Sequence, residues 1–160
     1  EAMALAALFS GITLANAGLG AVHGFAAPLG ANFPIPHGTI CAALLPHVVS
    51  ANIAALAAES MQHPYLERYA ELGRRVTGDR SLGRDEALEG CCRFLFDLVF
   101  KLNVPPLREF GLAPGHIPGM VALARKASSM RYNPVVLSDE TLSHVLAAAA
   151  GVSTTQRIAS

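Results

Sequence analysis

Leu88, Cys91, Leu95, Leu98 and Leu102 recur at steps of three and four with polar residues among them. Such spacing keeps side chains on one face of a helix. It predicts an amphipathic helix that ends before Asn103, Val104 and the Pro105-Pro106 pair. Ile117, Val121, Ala124 and Ala127 repeat the stripe and predict a helix over about 117–130, closed by Asn133-Pro134. Ser138 is placed to cap a last helix over 139–150, with two acids in the first turn, where the helix dipole favours them, and Gly151 beyond the end. Pro64 opens a short helix with Tyr65, Leu66, Tyr69 and Leu72 on its apolar side, and Gly73 reads as its stop, before a polar loop over 74–83.

The amino-terminal third has a different pattern, because residues 2–58 contain no Asp, Glu, Lys or Arg. Residues 2 to about 24 read as a long helix, apolar on all sides as buried helices are. Pro28 and Gly30 end it, residues 27–36 form a proline-rich loop, and Pro36 starts a second helix over 37–61. With no period-2 strand, repeat or linker, the expected fold is all-α. It is an irregular bundle of about five to seven helices over 1–152, with a flexible tail at 153–160. The chain begins inside helix-forming sequence, EAMALAALFSG, with no basic leader segment, and so reads as a fragment of a larger protein.

Composition narrows the choice of partners. Twelve basic and twelve acidic side chains cancel, which argues against nucleic acid or an anionic surface as the main partner. The uncharged stretch is long enough for a membrane span of about 20 residues. However, Pro28, Pro34 and Pro36 interrupt it, and Asn16, His23, Asn32, His37 and His47 are costly in lipid. A buried helix pair fits these features better than a membrane segment. Three cysteines, Cys41, Cys91 and Cys92, make neither a CxxC motif nor an even-numbered framework, so a reducing cytoplasm is the expected compartment.

The stretch GLGAVHGFAAPLGANFPIPHG, residues 18–38, carries the candidate chemistry. His23 is expected at the end of one helix and His37 in the first turn of the next, so the intervening loop can bring both imidazoles to one point. The partial positive charge of a helix amino terminus suits an imidazole acting as a neutral ligand. On spacing alone a satisfied core histidine is the commoner case. Other candidates carry less. His47 reads as a core residue, and His63, His116 and His144 as surface residues. Packing explains Cys91 and Cys92 better than nucleophilic catalysis does. Arg74, Arg75, Arg80 and Arg84 are interleaved with acids and read as a solvated loop.

The longer run ANAGLGAVHGFAAPLGANFPIPHGTICAALLPHV resembles the signature of the iron-containing (group III) alcohol dehydrogenases, in which a GLxxxH segment and a downstream PHG each provide a metal ligand. NPVVLSDETLSHVLAAA resembles that family's carboxy-terminal helix. The resemblance implies that His23 and His37 are two of the metal ligands. It also implies a parent enzyme with a Rossmann-like amino-terminal domain for NAD or NADP, and a helical domain holding a divalent metal, iron or zinc, through an Asp and three His. Such an enzyme acts on a small alcohol or aldehyde, the metal polarising the substrate oxygen during hydride transfer. A maleylacetate-reductase-like enzyme of the same family and a non-catalytic helical interaction module are the alternatives. Where many members carry a further histidine four residues after the first ligand, this chain has Ala27, which leaves proton transfer to another group. Without the remaining ligands and the nucleotide domain, the chain alone is expected to bind metal weakly, to be inactive, and to self-associate as a homo-oligomer, a dimer at its simplest.

Overall fold

The computed structural model describes residues 1–152, and among these it contains seven α-helices, three short 3₁₀ turns and no strand. The helices are α1 (Ala2–Ala17), α2 (Ala21–Asn32), α3 (His37–Glu59), α4 (Pro64–Thr77), α5 (Arg84–Lys101), α6 (Ile117–Lys126) and α7 (Asp139–Ala150). The expected all-α bundle is therefore what forms. The expected tail at 153–160 lies outside the described residues.

The core sits where α2, α3, α6 and α7 meet, and Phe25, Leu29, Ile40, Leu44, Leu142 and Leu146 there have no exposed surface. Each fully buried side chain of this size contributes about 1.5–3 kcal/mol relative to exposure. That scale explains one departure from the expected pattern. Pro28 lies inside α2 instead of ending it, and the loop shrinks to residues 33–36. A helix-interior proline costs about 3 kcal/mol, and burial of Phe25 and Leu29 on either side of it exceeds that. Pro46 is likewise buried inside α3.

The single helix expected over 2–24 is instead two, bent by 96°. Gly18 has φ +71, and a Cβ there would sit 2.6 Å from the ring of Tyr132, so only glycine fits this corner. Helix α1 buries none of its residues, in contrast to the expected buried helix, and Met3, Leu5, Leu8, Phe9, Ile12 and Leu14 all face outward. Helix α3 is long and apolar enough by composition to cross a membrane, as a soluble core helix also can be, and eight of its residues are buried against other helices.

Three further expectations are corrected. Gly73 does not stop α4. It lies buried inside the helix, and a Cβ on it would come within 1.9 Å of the Ala87 carbonyl oxygen, so it is the point of closest approach between α4 and α5. The helix ends at Gly78, which adopts the left-handed conformation. The stripe on α5 is buried only in its first half: Leu88 and Cys91 are covered, whereas Leu98 and Leu102 are exposed. Finally, the helix expected over 117–130 leaves helical geometry at Ala127 and continues as a 3₁₀ turn over Ser128–Tyr132. That turn sets Met130 against Gly24 and Asn133 beneath the start of α2. Helix α7 forms as expected, with the Ser138 hydroxyl accepting from the Thr141 amide at 3.0 Å and Gly151 as its left-handed end.

Candidate metal centre

Two helix amino termini converge at one edge of the bundle. His23 is the third residue of α2, not the end of a preceding helix as expected, and His37 is the first residue of α3. The connection between them is short, and Ile35 is buried in the core, so the second helix start is fixed relative to the first. The two imidazoles lie with centroids 5.3 Å apart and planes inclined by 52°. Cys41 stands four residues after His37, one turn along the same face of α3. Its Sγ lies 3.8 Å from His23 Nε2 and 3.5 Å from His37 Nε2.

These three side chains form the one group among the described residues whose ligand-type atoms converge in this way, all within 4.8 Å of one another. His23 and Cys41 are half-buried, and His37 is exposed at the rim. Burial, and then the neighbouring His37, push the His23 imidazole below its ordinary range, which favours the neutral form a metal requires. Burial raises the Cys41 thiol. Two imidazole nitrogens and a sulfur, with His37 at the exposed rim, are nonetheless a donor set that fits a divalent transition metal.

A polar bracket holds α2 in place. The Asn133 side-chain oxygen accepts from the Ala21 amide at 3.1 Å, satisfying one of the unpaired donors at the start of α2. Its Nδ2 donates to Asn52 Oδ1 at 2.7 Å and to the Val135 carbonyl at 2.8 Å. Asn52 is 3% exposed and donates in turn to the Tyr69 hydroxyl at 3.2 Å. Sequence reasoning missed this bracket, and it missed Cys41 as a member of the cluster. The His-x-x-x-Cys spacing was a usable signal for the latter. A cleft of about 550 Å³ runs inward from His23 and Cys41, walled mainly by apolar groups including Leu19, Leu45, Val48 and Val49.

The remaining candidates have local roles. His47 is half-buried, edge-on to Phe96 with centroids 5.1 Å apart, and burial lowers its pKa. His116 and His144 are exposed, as expected. His63 is half-buried and caps α4, its Nδ1 accepting from the Tyr65 amide at 3.3 Å. Cys91 is buried, and its thiol is pushed up to about 11 by burial and the adjacent Cys92, which suits packing and not nucleophilic attack. Arg74 binds Glu67 at 2.7 Å within α4 and donates to the Leu82 carbonyl at 3.0 Å, bracing the turn after α4, whereas Arg75 pairs with Glu71 at 2.8 Å along the helix itself. Ala27 is exposed one turn beyond His23.

Residues 1–150 match the model of the family described as "Fe-containing alcohol dehydrogenase family, C-terminal". The chain is 35% identical over 125 residues to lactaldehyde reductase of Escherichia coli (strain K12), covering 78% of this chain and 31% of that protein. It is 33% identical over 139 residues to 1,3-propanediol dehydrogenase of Klebsiella pneumoniae, covering 84% of this chain and 33% of that protein. The chain thus spans about a third of the length of these curated relatives. A crystal structure of 1,3-propanediol oxidoreductase superposes with a TM-score of 0.79 at 29% identity, over 92% of this chain and 37% of that one. Alcohol dehydrogenase from Oenococcus oeni superposes with a TM-score of 0.71 at 30% identity, over 87% of this chain and 34% of that one.

Proposed function

The chain belongs to the Fe-containing alcohol dehydrogenase family, and from that premise we propose that it is part of the helical metal-binding domain of a longer NAD- or NADP-linked oxidoreductase acting on small alcohols or aldehydes. The observation that carries the reading is the convergence of His23 Nε2 and His37 Nε2 on a single point at two helix amino termini. These two side chains would hold a divalent ion, iron or zinc. Such an ion, when bound, supplies Lewis acidity toward a substrate oxygen.

The chain's own residues prepare that site. The pressure of burial on His23 keeps its lone pair free. The Asn133–Asn52 bracket fixes the start of α2, and with it the position of His23. The cleft beside His23 offers the carbon side of a small substrate a mainly apolar wall. The relatives carry the names lactaldehyde reductase and 1,3-propanediol dehydrogenase, and a short diol or hydroxyaldehyde is the substrate class we assign. With Ala27 exposed beyond His23, proton transfer falls to solvent or to a group elsewhere. The nucleotide domain and the remaining ligands belong to the rest of the polypeptide, and residues 1–152 alone lack activity. We further propose that the protein acts in the cytoplasm as a homo-oligomer, and the expected outcome is purification without detergent.

The test is the full-length reading frame, expressed, stripped of metal, reloaded with iron or zinc, and assayed for alcohol-dependent reduction of NAD or NADP. Activity that disappears with the metal and returns on reloading supports the proposal. Activity unchanged by stripping favours a maleylacetate-reductase-like enzyme, and no activity in any metal state contradicts the proposal.

A further inference from the structure

We infer that Cys41 is a third ligand of the ion held by His23 and His37, so that this site has a mixed nitrogen and sulfur donor set. The inference rests on the proposed ligation by the two histidines and adds the residue that decides which metal they retain.

The geometry carries it. A zinc-type centre has metal–sulfur bonds of about 2.3 Å and metal–nitrogen bonds of about 2.0–2.1 Å, so in a tetrahedron sulfur and nitrogen ligands lie about 3.5–3.6 Å apart. Cys41 Sγ is 3.5 Å from His37 Nε2 and 3.8 Å from His23 Nε2, close to those edges. A thiol has one proton and can donate it to one imidazole at a time. Two ring nitrogens at nearly equal distance from one sulfur instead match a centre that all three share. The backbone fixes the arrangement, because Cys41 and His37 are one turn apart on α3 and the short loop fixes His23 opposite them.

The sulfur changes the charge and chemistry of the site. Two neutral imidazoles offer a divalent ion no negative charge, whereas a thiolate supplies one. On binding, the Sγ–H bond breaks, a metal–sulfur bond forms, and the proton leaves to solvent, with no change of oxidation state. A thiolate ligand also selects zinc and related borderline ions over hard, oxygen-seeking ions such as magnesium or manganese. On this inference the chain alone binds a divalent ion more tightly than two imidazoles would.

Cobalt(II) titration of the 160-residue chain tests this, because a cobalt–thiolate bond gives an intense near-ultraviolet charge-transfer absorption that imidazole ligation does not. The expected result is such a band, saturating at one cobalt per chain. Cys41→Ser and Cys41→Ala should both lack it and bind cobalt at least about tenfold more weakly, since even changes outside the ligand shell cost that much. A Cys91→Ser, Cys92→Ser double variant should keep both the band and the affinity. Binding that depends on the two histidines but shows no sulfur band, or is unchanged in Cys41→Ala, overturns the inference and leaves the histidine reading standing. Cobalt binding equally well to a His23→Ala, His37→Ala variant overturns that reading, and this inference with it.

Discussion

Replacing Asn133 with alanine should destabilise the chain more than any contact visible in its sequence implies. The side chain makes four bonds: its oxygen accepts from the Ala21 amide and, at 3.3 Å, from Asn52 Nδ2, and its Nδ2 donates to Asn52 Oδ1 and to the Val135 carbonyl. Loss of an N-terminal helix cap costs about 1 kcal/mol. Leaving the buried Asn52 oxygen without a donor adds about 1–3 kcal/mol. The sum, about 2–4 kcal/mol, is a large part of the roughly 5–15 kcal/mol that a domain has in total. Urea denaturation followed by far-ultraviolet circular dichroism measures it, provided that the unfolding slope is unchanged. Asn133→Asp keeps the acceptor facing Ala21 and loses both donations, so it should fall between the original chain and Asn133→Ala. A loss below about 0.5 kcal/mol in Asn133→Ala, the range of an ordinary surface change, would refute the view that this bracket holds α2.

Gly73→Ala sets helix propensity against packing. Alanine gains about 1 kcal/mol over glycine in a helix, but its Cβ would lie 1.9 Å from the Ala87 carbonyl oxygen, and α4 must part from α5. The variant should melt at lower temperature, and any stabilisation would contradict that close approach. His23 and His47 both have imidazoles held below their ordinary range, chiefly by burial. The unfolded chain therefore takes up protons first, near the free imidazole value of about 6.5, and stability should fall as pH drops from above 6.5 into the window below it. Denaturation midpoints at several pH values check this, with a shallower decline expected in His47→Gln. Exposed apolar side chains along α1, together with Phe96, Leu98 and Phe100 on α5 and Leu102 just after it, form faces that should drive self-association. Sedimentation showing only a 16.7 kDa monomer at high concentration, with little hydrophobic-dye binding, would contradict this.

Helices with a mixed surface were legible in sequence, and those without one were not. The stripe of α5 and the capped α7 were located because alternation and capping residues mark a periodic face and an end. In the uncharged stretch 2–58 no polar side marks where a helix turns, so the corner at Gly18 went unread. Its cause is the ring of Tyr132, distant in the chain. Proline and glycine misled for the same reason. Pro28 and Gly73 look like stops locally, but each lies within a helix whose tertiary burial decides its path. His23 and His37 stood out through the resemblance of their surrounding motif, since on spacing alone a satisfied core histidine is the commoner case. Asn133 and Asn52 are 81 residues apart, and their pairing exists only once α3 and the 3₁₀ turn are packed together. Cys41 was partly legible, because a step of four from His37 places the two on one helical face.

The most direct test of the central claim is equilibrium dialysis of zinc against the 160-residue chain and against its His23→Ala, His37→Ala variant. One ion retained per original chain, and none specifically retained by the variant, is the predicted result. Equal retention by the two proteins would contradict the assignment of His23 and His37 as metal ligands.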